Sequence, residues 1–276
     1  MPDGVATTLK SSEQPPIGVG EAPPSPVWQA LGGLDRDVHL IRADTFRDTA
    51  MGAGFVLSAL AKLKADGLFV WVSQKYLSCE AGHLYGPGLK NYGLDPQNIL
   101  FVEASALKDV FWSVEEALGS GSVAAVVGEV HTAKSLDLTP TRRLALRSRR
   151  AGVPVFLMAA NSAPFASAAR THWLVAGMER LRGGHPHPWM RPPAWSLTLT
   201  KNKNGPCGTA SVGFDVRNKA YFAPGAMDAL PSRSTLKPLV SGGIGLASGM
   251  GGALEPVVVR LAAERRLALE QRRERQ

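Results

Sequence analysis

The segment LFVWVSQKYLSCEAGHLYGPGLKNYGLDPQNILFVEA, residues 68–104, indicates the fold class most directly. It contains two apolar runs, LFVWV at 68–72 and ILFV at 99–102, with a predicted helix between them that ends before Gly93. Neither run alternates apolar with polar residues, so both sides of each strand are expected to be buried. Two such strands joined through a helix predict a parallel pair in an α/β sheet.

The same alternation of apolar runs and helical patterns extends in both directions. Further strands are predicted at 38–41, 123–127 and 153–159, and helices at 107–118 and 139–150. Their order along the chain is that of a parallel sheet covered by helices on both faces.

The pattern changes after residue 170. The segments at 171–176, 195–200 and 209–216 alternate apolar with polar residues, which is typical of half-exposed antiparallel strands. We therefore expect an α/β protein with a three-layer αβα core, whose sheet is largely parallel and carries antiparallel strands at its C-terminal edge.

Composition divides the chain into four parts. Residues 1–27 are rich in Pro, Gly, Ser and Thr and predict a disordered leader, whereas 28–223 hold the expected core. Residues 224–253 are rich in Gly and Pro and predict a flexible linker, and 254–276 predict a charged helix.

The overall composition excludes several classes of protein. Cys79 and Cys207 lie far apart without CxxC spacing, which argues against a disulfide framework and a structural zinc site. No signal peptide or membrane-spanning segment is evident, so we expect a soluble, cytoplasmic protein. The net charge of +8 permits an acidic partner, either nucleic acid or protein.

Several phrases of the sequence resemble those of known proteins. The phrase YGLDPQNIL (92–100) and the phrase TLTKNKNGPCG (198–208) resemble segments of RecA. Within the RecA superfamily, LYGPGLKNYGLDP (84–96), WSVEEAL with AAVVGE (112–129) and LDLTPTRRL (136–144) resemble ImuA proteins of alphaproteobacterial type. The resemblance covers about residues 28–217 and implies a RecA-like core.

The resemblance also implies a function and partners. ImuA-type proteins act in damage-inducible (SOS) error-prone translesion DNA synthesis. They act beside ImuB, a polymerase-like protein without catalysis, and an error-prone C-family polymerase. RecA is a further expected partner. Two other functions stay open: a DNA-stimulated ATPase or recombinase paralogue of RecA, and a SulA-like inhibitor of another assembly.

The residues that an active RecA-type ATPase requires are not found in the sequence. After VHLI the chain reads RADTFRD (42–48), and no GxxxxGK[ST] phosphate loop occurs anywhere. Thr45 and Asp48 instead have the spacing of a capping box. Gln74 stands where RecA carries its catalytic Glu, and an amide cannot act as a general base. We therefore expect no catalytic residues and no cofactor.

A further position concerns the metal ion of such an ATPase. Gly128 stands where a metal-binding Asp is expected. Glu129 comes one residue late and would point to the opposite side of the strand. A one-residue shift in the alignment would bring Glu129 into that position, but it would not restore the phosphate loop.

Basic residues supply the candidate contact sites. The predicted helix 139–150 has no acidic residue, so its arginines are expected to bind a partner: Arg142, Arg143, Arg147, Arg149 and Arg150. Lys201 and Lys203 match the paired lysines that RecA uses across its filament interface, although two solvated lysines at a turn would look the same.

The C-terminal helix is the other candidate contact site. We expect it to dock on a partner through Val257, Val258, Leu261, Arg265 and Arg266, and folding back on the core is the alternative.

The segment 185–195 contains residues of two further types that can bind ligands, histidines and tryptophans. His185 and His187 lack a third ligand nearby, so we expect no metal site. Trp189 and Trp195 beside Arg191 could stack on bases, but packing within a hairpin is the preferred interpretation. The segments that follow the strands ending near 128 and 159 are short compared with the DNA-binding loops of RecA. We therefore expect DNA to be contacted weakly or indirectly.

Overall fold

The computed structural model describes residues 25–43, 48–63, 67–130, 138–159, 165–178, 192–224 and 257–260. The predicted strands appear in the predicted order, and two short helices take the place of the single helix that was predicted before Gly93. The helices are α1 (Pro26–Leu31), α2 (Thr49–Lys62), α3 (Lys75–Ala81), α4 (Gly86–Asn91), α5 (Leu107–Gly119) and α6 (Leu138–Ala151). The strands are β1 (Val38–Arg42), β2 (Leu68–Gln74), β3 (Ile99–Ala104), β4 (Val123–Val130), β5 (Val155–Ala159), β6 (Thr171–Gly177), β7 (Ala194–Asn202), β8 (Gly208–Asp215), β9 (Ala220–Phe222) and β10 (Val257–Arg260).

All the described strands belong to one sheet, in the order β10-β3-β2-β4-β5-β1-β6-β7-β8-β9. The strands from β10 to β6 run parallel to one another. Strands β7, β8 and β9 continue the sheet in antiparallel pairs. The prediction of a largely parallel sheet with antiparallel strands at its C-terminal edge is confirmed.

Helices cover both faces of the sheet and produce three layers. Helices α1, α2 and α4 pack with one hydrophobic cluster, and α5 and α6 pack with the other. Strand β2 shows how one strand serves both: Phe69 and Trp71 face the first cluster, whereas Val70 and Val72 face the second. Successive side chains of a strand point to opposite faces, so an unbroken apolar run buries both. We call these the α2 face and the α5–α6 face.

The structure corrects two boundaries of the expected domains. Pro26 and Val27 were counted with the leader, but they begin α1, and Val27 is fully buried in the first cluster. Val257–Arg260 were expected to be helical, and instead they form β10 alongside β3. The helix prediction is therefore wrong for these four residues, and the rest of that segment lies outside the described residues.

Candidate functional site

The carboxyl ends of the parallel strands are where ligands bind in open α/β sheets. Here β1 and β5 end beside the start of α2, around a cavity of about 170 Å³ that includes space open to solvent. The cavity is lined by Ile41, Arg42, Ala43, Thr49, Gly52, Met158 and Ala159. The hydroxyl of Thr49 is buried there without a hydrogen-bond partner among the described residues.

The described part of α2 begins at Thr49, and Asp48 directly precedes it with helical backbone angles. A capping box would place Asp48 at the third helical position, with its side chain reaching back to Thr45. Thr45 lies outside the described residues, so the capping box stays a prediction.

Gly128 and Glu129 lie at the end of β4 and point to opposite faces, as predicted. A β-carbon added to Gly128 would lie 3.1 Å from Leu157 Cδ2 and 3.3 Å from Val114 Cγ2, on the α5–α6 face. Glu129 lies on the α2 face, where its Oε2 accepts a hydrogen bond of 3.1 Å from Trp71 Nε1. An acidic side chain at position 128 would thus be buried in an apolar layer. The acid on the side of the cavity is Glu129.

The Glu129 carboxyl has a partly buried, hydrogen-bonded environment. Burial raises its pKa, and hydrogen bonds from Trp71 and Ser73 offset part of that rise. Ser73 is the register neighbour of Glu129 on one side and of Glu103 on the other. The three residues therefore form one polar row across β3, β2 and β4, and Glu103 also lies 3.7 Å from His83 Nε2. Gln74, the residue after Ser73, ends β2, two residues beyond the predicted strand 68–72.

The arginine helix, α6, is not the unneutralised surface that the sequence suggested. Arg143 Nη2 contacts both carboxylate oxygens of Glu115, at 2.5 and 2.7 Å. Arg147 donates to the backbone carbonyl of Glu115 at 3.1 Å. Arg149 Nε donates to Asp37 Oδ2 at 3.0 Å. Three of the five arginines therefore hold α6 against α5 and the start of β1.

The acidic partners of these arginines could not be read from the helix itself. Glu115 lies on α5 and is buried, and Asp37 precedes β1. They are 28 and 112 residues away from the arginines to which they bind. The outer arginines, Arg142 and Arg150, remain exposed.

Lys201 and Lys203 act within the chain. Their ammonium groups donate to the carbonyls of Ser167 and Ala168, at 2.5 and 2.6 Å respectively. These contacts attach the end of β7 to the segment that leads from β5 into β6. Burial lowers the pKa of the neighbouring His172 to about 4, and the positive charges of Lys201, Arg42 and Lys203 act in the same direction. Both lysines therefore carry hydrogen bonds within the chain, Lys201 at a partly buried position and Lys203 at an exposed one, and their contact with a partner stays a prediction.

The remaining candidates fall into two groups. Trp195 is 1% exposed and packs edge-on to Phe55, with ring centroids 5.8 Å apart, so its preferred interpretation as a packing residue is confirmed. Val257 and Val258 lie in β10. The others lie outside the described residues: Thr45, His185, His187, Trp189, Arg191, Leu261, Arg265 and Arg266.

The described ranges contain neither a cluster of metal-binding side chains nor a membrane-spanning helix. No group of three or more His, Cys, Asp or Glu residues there is placed to hold a metal ion. Among the helices described, none has the length and apolar content needed to cross a membrane. No family model matches the chain, and no curated protein sequence is significantly similar to it.

Proposed function

We propose that this chain is a non-catalytic accessory protein with a RecA-like core that acts in damage-inducible, error-prone translesion DNA synthesis. It acts through contacts with an ImuB-type polymerase-like protein, RecA or both, beside a C-family polymerase. The translesion role and these partners rest on the resemblance of residues 28–217 to ImuA-type proteins.

The order of the sheet supports the RecA-like part of the proposal. Strands β1 to β6 are parallel, and β7 to β9 follow them as antiparallel strands at one edge, an order of elements that resembles RecA. Lys201 lies within β7 and Lys203 directly after it, before the turn to β8, where the KNK phrase of the resemblance falls.

The arrangement at the end of β4 carries the non-catalytic part of the proposal. Position 128, where a metal-binding Asp is expected, is a glycine packed against Val114 and Leu157. Glu129 on the other face is engaged by Trp71 Nε1. The segment 42–48, which would have to hold phosphates, has no glycine. A segment without glycine thus stands where a phosphate-binding loop would be needed. Gly128 stands where a metal-binding Asp would be needed, and the neighbouring Glu129 already accepts a hydrogen bond.

A genetic experiment tests the cellular role. The gene is deleted in its host, and the frequency of mutations after ultraviolet irradiation is compared with that of the parent and of a complemented strain. We expect the deletion to abolish most of the damage-induced increase while leaving spontaneous mutation unchanged. A deletion strain with the parental induced frequency would refute the translesion role.

Glu129 gives specific support to one alternative, a DNA-stimulated ATPase, because its carboxyl lies on the α2 face with a raised pKa. ATP hydrolysis by the purified chain is measured with and without single-stranded DNA. We expect no rate above background in either case. A rate of even about 1 per minute that Glu129→Gln abolishes would contradict the non-catalytic assignment.

A further inference from the structure

The outer side of α6 presents a row of four residues at four-residue spacing: Leu138, Arg142, Leu146 and Arg150. All four are exposed to solvent. Residues four apart lie next to each other along a helix, about 6 Å apart in rise. The row therefore alternates apolar and cationic side chains over roughly 18 Å.

The two arginines of the outer row differ from the other three on the same helix. Arg143, Arg147 and Arg149 bind Glu115 and Asp37. Within the part of the chain that the structure describes, Arg142 and Arg150 have neither an ion pair nor a side-chain hydrogen bond. The three inner arginines are thus paired within the chain, and the guanidinium groups of the outer pair can contact carboxylates of another molecule.

The two leucines of the outer row are largely exposed and do not contribute to the hydrophobic core. Leu146 is 58% exposed and Leu138 is 52% exposed, whereas Leu144 on the inner side is fully buried. A single exposed leucine is ordinary on a protein surface, but Leu146 lies between two arginines, and arginine is enriched at protein interfaces.

We propose that the outer row of α6 binds an acidic amphipathic helix of a partner protein. One apolar side chain of that helix packs on Leu146, and carboxylates on either side of it contact Arg142 and Arg150. The two arginines are eight residues apart, about 12 Å in rise, so the partner needs two acidic residues seven or eight apart with an apolar residue between them.

The exposed leucines decide between a protein and a nucleic acid. A phosphate backbone would satisfy the two arginines but would leave Leu146 in water. A helix with an apolar residue in the middle of its acidic face covers all three side chains. The proposal depends on the proposed function only for the partner's cellular role, because the surface itself is tested by binding in solution.

The test uses the purified full-length chain and a fluorescent synthetic peptide as probe. The peptide forms an amphipathic helix with two Glu eight residues apart and a Leu midway, and a second peptide carries Lys in place of both Glu. Three variants are compared with the parent chain: Leu146→Ala, Arg142→Glu with Arg150→Glu, and a control, Lys75→Glu with Lys90→Glu. The control makes the same change in net charge at exposed lysines on α3 and α4.

We expect only the acidic peptide to bind. Leu146→Ala should weaken it about fivefold and the double arginine reversal about a hundredfold, whereas the control should change it less than about twofold. Circular dichroism spectra equal to the parent's establish that the variants are folded.

Four outcomes would overturn the proposal. They are no binding of the acidic peptide, equal losses in the arginine and control variants, insensitivity to Leu146→Ala, and displacement of the peptide by a single-stranded oligonucleotide that binds the same row. Failure of the peptide to bind, with damage-induced mutation still dependent on the gene, would reject this surface and leave the proposed function intact. Normal mutation in the deletion strain, with peptide binding as expected, would reject only the function.

Discussion

At the scale of single residues, buried polar groups determine how the layers are joined. Glu115 is the clearest case, because its carboxylate is buried beneath α6 and faces two arginines whose outer ends reach solvent. Burying a carboxylate is unfavourable unless charged donors compensate for the lost water. Arg143 and Arg147 provide that compensation and thereby fix α6 on α5.

Removing the Glu115 charge should destabilise the protein. We expect Glu115→Gln to lower the free energy of unfolding by about 2 kcal/mol, because a charge-assisted pair is replaced by weaker hydrogen bonds at a buried position. Urea denaturation measures the change. The matched control is Glu116→Gln at the exposed neighbouring position, for which we expect a change within about 0.5 kcal/mol. Equal effects at both positions would show that the pair is not what stabilises the contact.

His39 is a second buried polar residue, and its proton positions follow from its neighbours. Its Nε2 lies 2.8 Å from the carbonyl of Arg36, which can only accept, so this nitrogen carries the hydrogen. Its Nδ1 lies 2.7 Å from Thr171 Oγ1, which therefore donates to it and accepts from Trp173 Nε1. This neutral form fills a site with no exposure to solvent.

The burial of His39 predicts a loss of stability in mild acid. Burial lowers its pKa from 6.5 to about 4 in the folded protein. Because the folded pKa is the lower one, the unfolded chain takes up the proton first, and stability present above pH 6.5 is lost as the pH falls towards 4. Between pH 7 and pH 5 we expect His39 to account for a loss of about 1–2 kcal/mol in the free energy of unfolding.

The measurement is urea denaturation at both pH values for the parent chain and for His39→Gln. The pH dependence should be smaller in the variant, whose side chain does not titrate. An unchanged dependence would assign it to other groups. His172, whose pKa is also lowered to about 4 by burial and by nearby cations, contributes in the same direction to both proteins.

At the scale of elements, the packing of β9 on β8 depends on a close contact between a glycine and a phenylalanine ring. Gly213 in β8 is the register partner of Phe222 in β9. A β-carbon at position 213 would lie 2.3 Å from Phe222 Cζ, far inside van der Waals contact. The phenylalanine ring thus occupies the space that a side chain at 213 would need, in the way that aromatic rings cover glycines in other sheets.

We expect Gly213→Ala to lower the free energy of unfolding by about 1–3 kcal/mol, because the ring or the strand must move. Thermal denaturation measures the effect. Gly119→Ala is the control, since a β-carbon there meets nothing within 4 Å. In the control the same substitution, made at the end of α5, should leave stability unchanged or raise it by up to about 1 kcal/mol. A tolerated alanine at 213 would mean that Phe222 is free to move aside.

At the scale of the whole molecule, the last two described strands along the chain lie at opposite edges of the sheet. Strand β9 forms one edge, and β10 covers β3 at the other. About 43 Å separate the two edge strands, given roughly 4.8 Å between neighbours. The 34 residues between Phe222 and Val257 are long enough to span this distance, since an extended residue covers up to about 3.3 Å.

The position of β10 changes what a C-terminal truncation should do. Ending the chain after residue 256 would uncover the β3 edge, and an exposed parallel edge of apolar residues favours pairing between molecules. We expect this truncation to aggregate at concentrations where the full chain is monodisperse, as measured by light scattering. Ending the chain after Arg260 keeps β10 and serves as the control, which should behave like the full chain. Equal behaviour of the two truncations would contradict a structural role for β10.

Local sequence patterns predict the order of the strands and the class of the sheet. Unbroken apolar runs such as 68–72 and 99–102 predicted parallel strands buried on both sides, and alternating segments such as 195–200 predicted antiparallel strands. These signals are local, because the period of apolar residues within one element reflects how many of its faces are buried. No GxxxxGK[ST] motif occurs in the sequence, which is the observation behind the expectation that no phosphate loop follows β1.

The pairing of charges and the location of residues 257–260 became known only from the folded chain. The arginines of α6 looked unneutralised because their acidic partners, Glu115 and Asp37, come from distant parts of the chain. VVVR at 257–260 fits a helix or a strand, since four residues are too few to distinguish the two periods, and the open edge of β3 selects the strand. Ion pairs and edge pairing join residues far apart in sequence, so no local pattern records them. For that reason the separation of the inner arginines from the outer row of α6 became visible only in the folded chain.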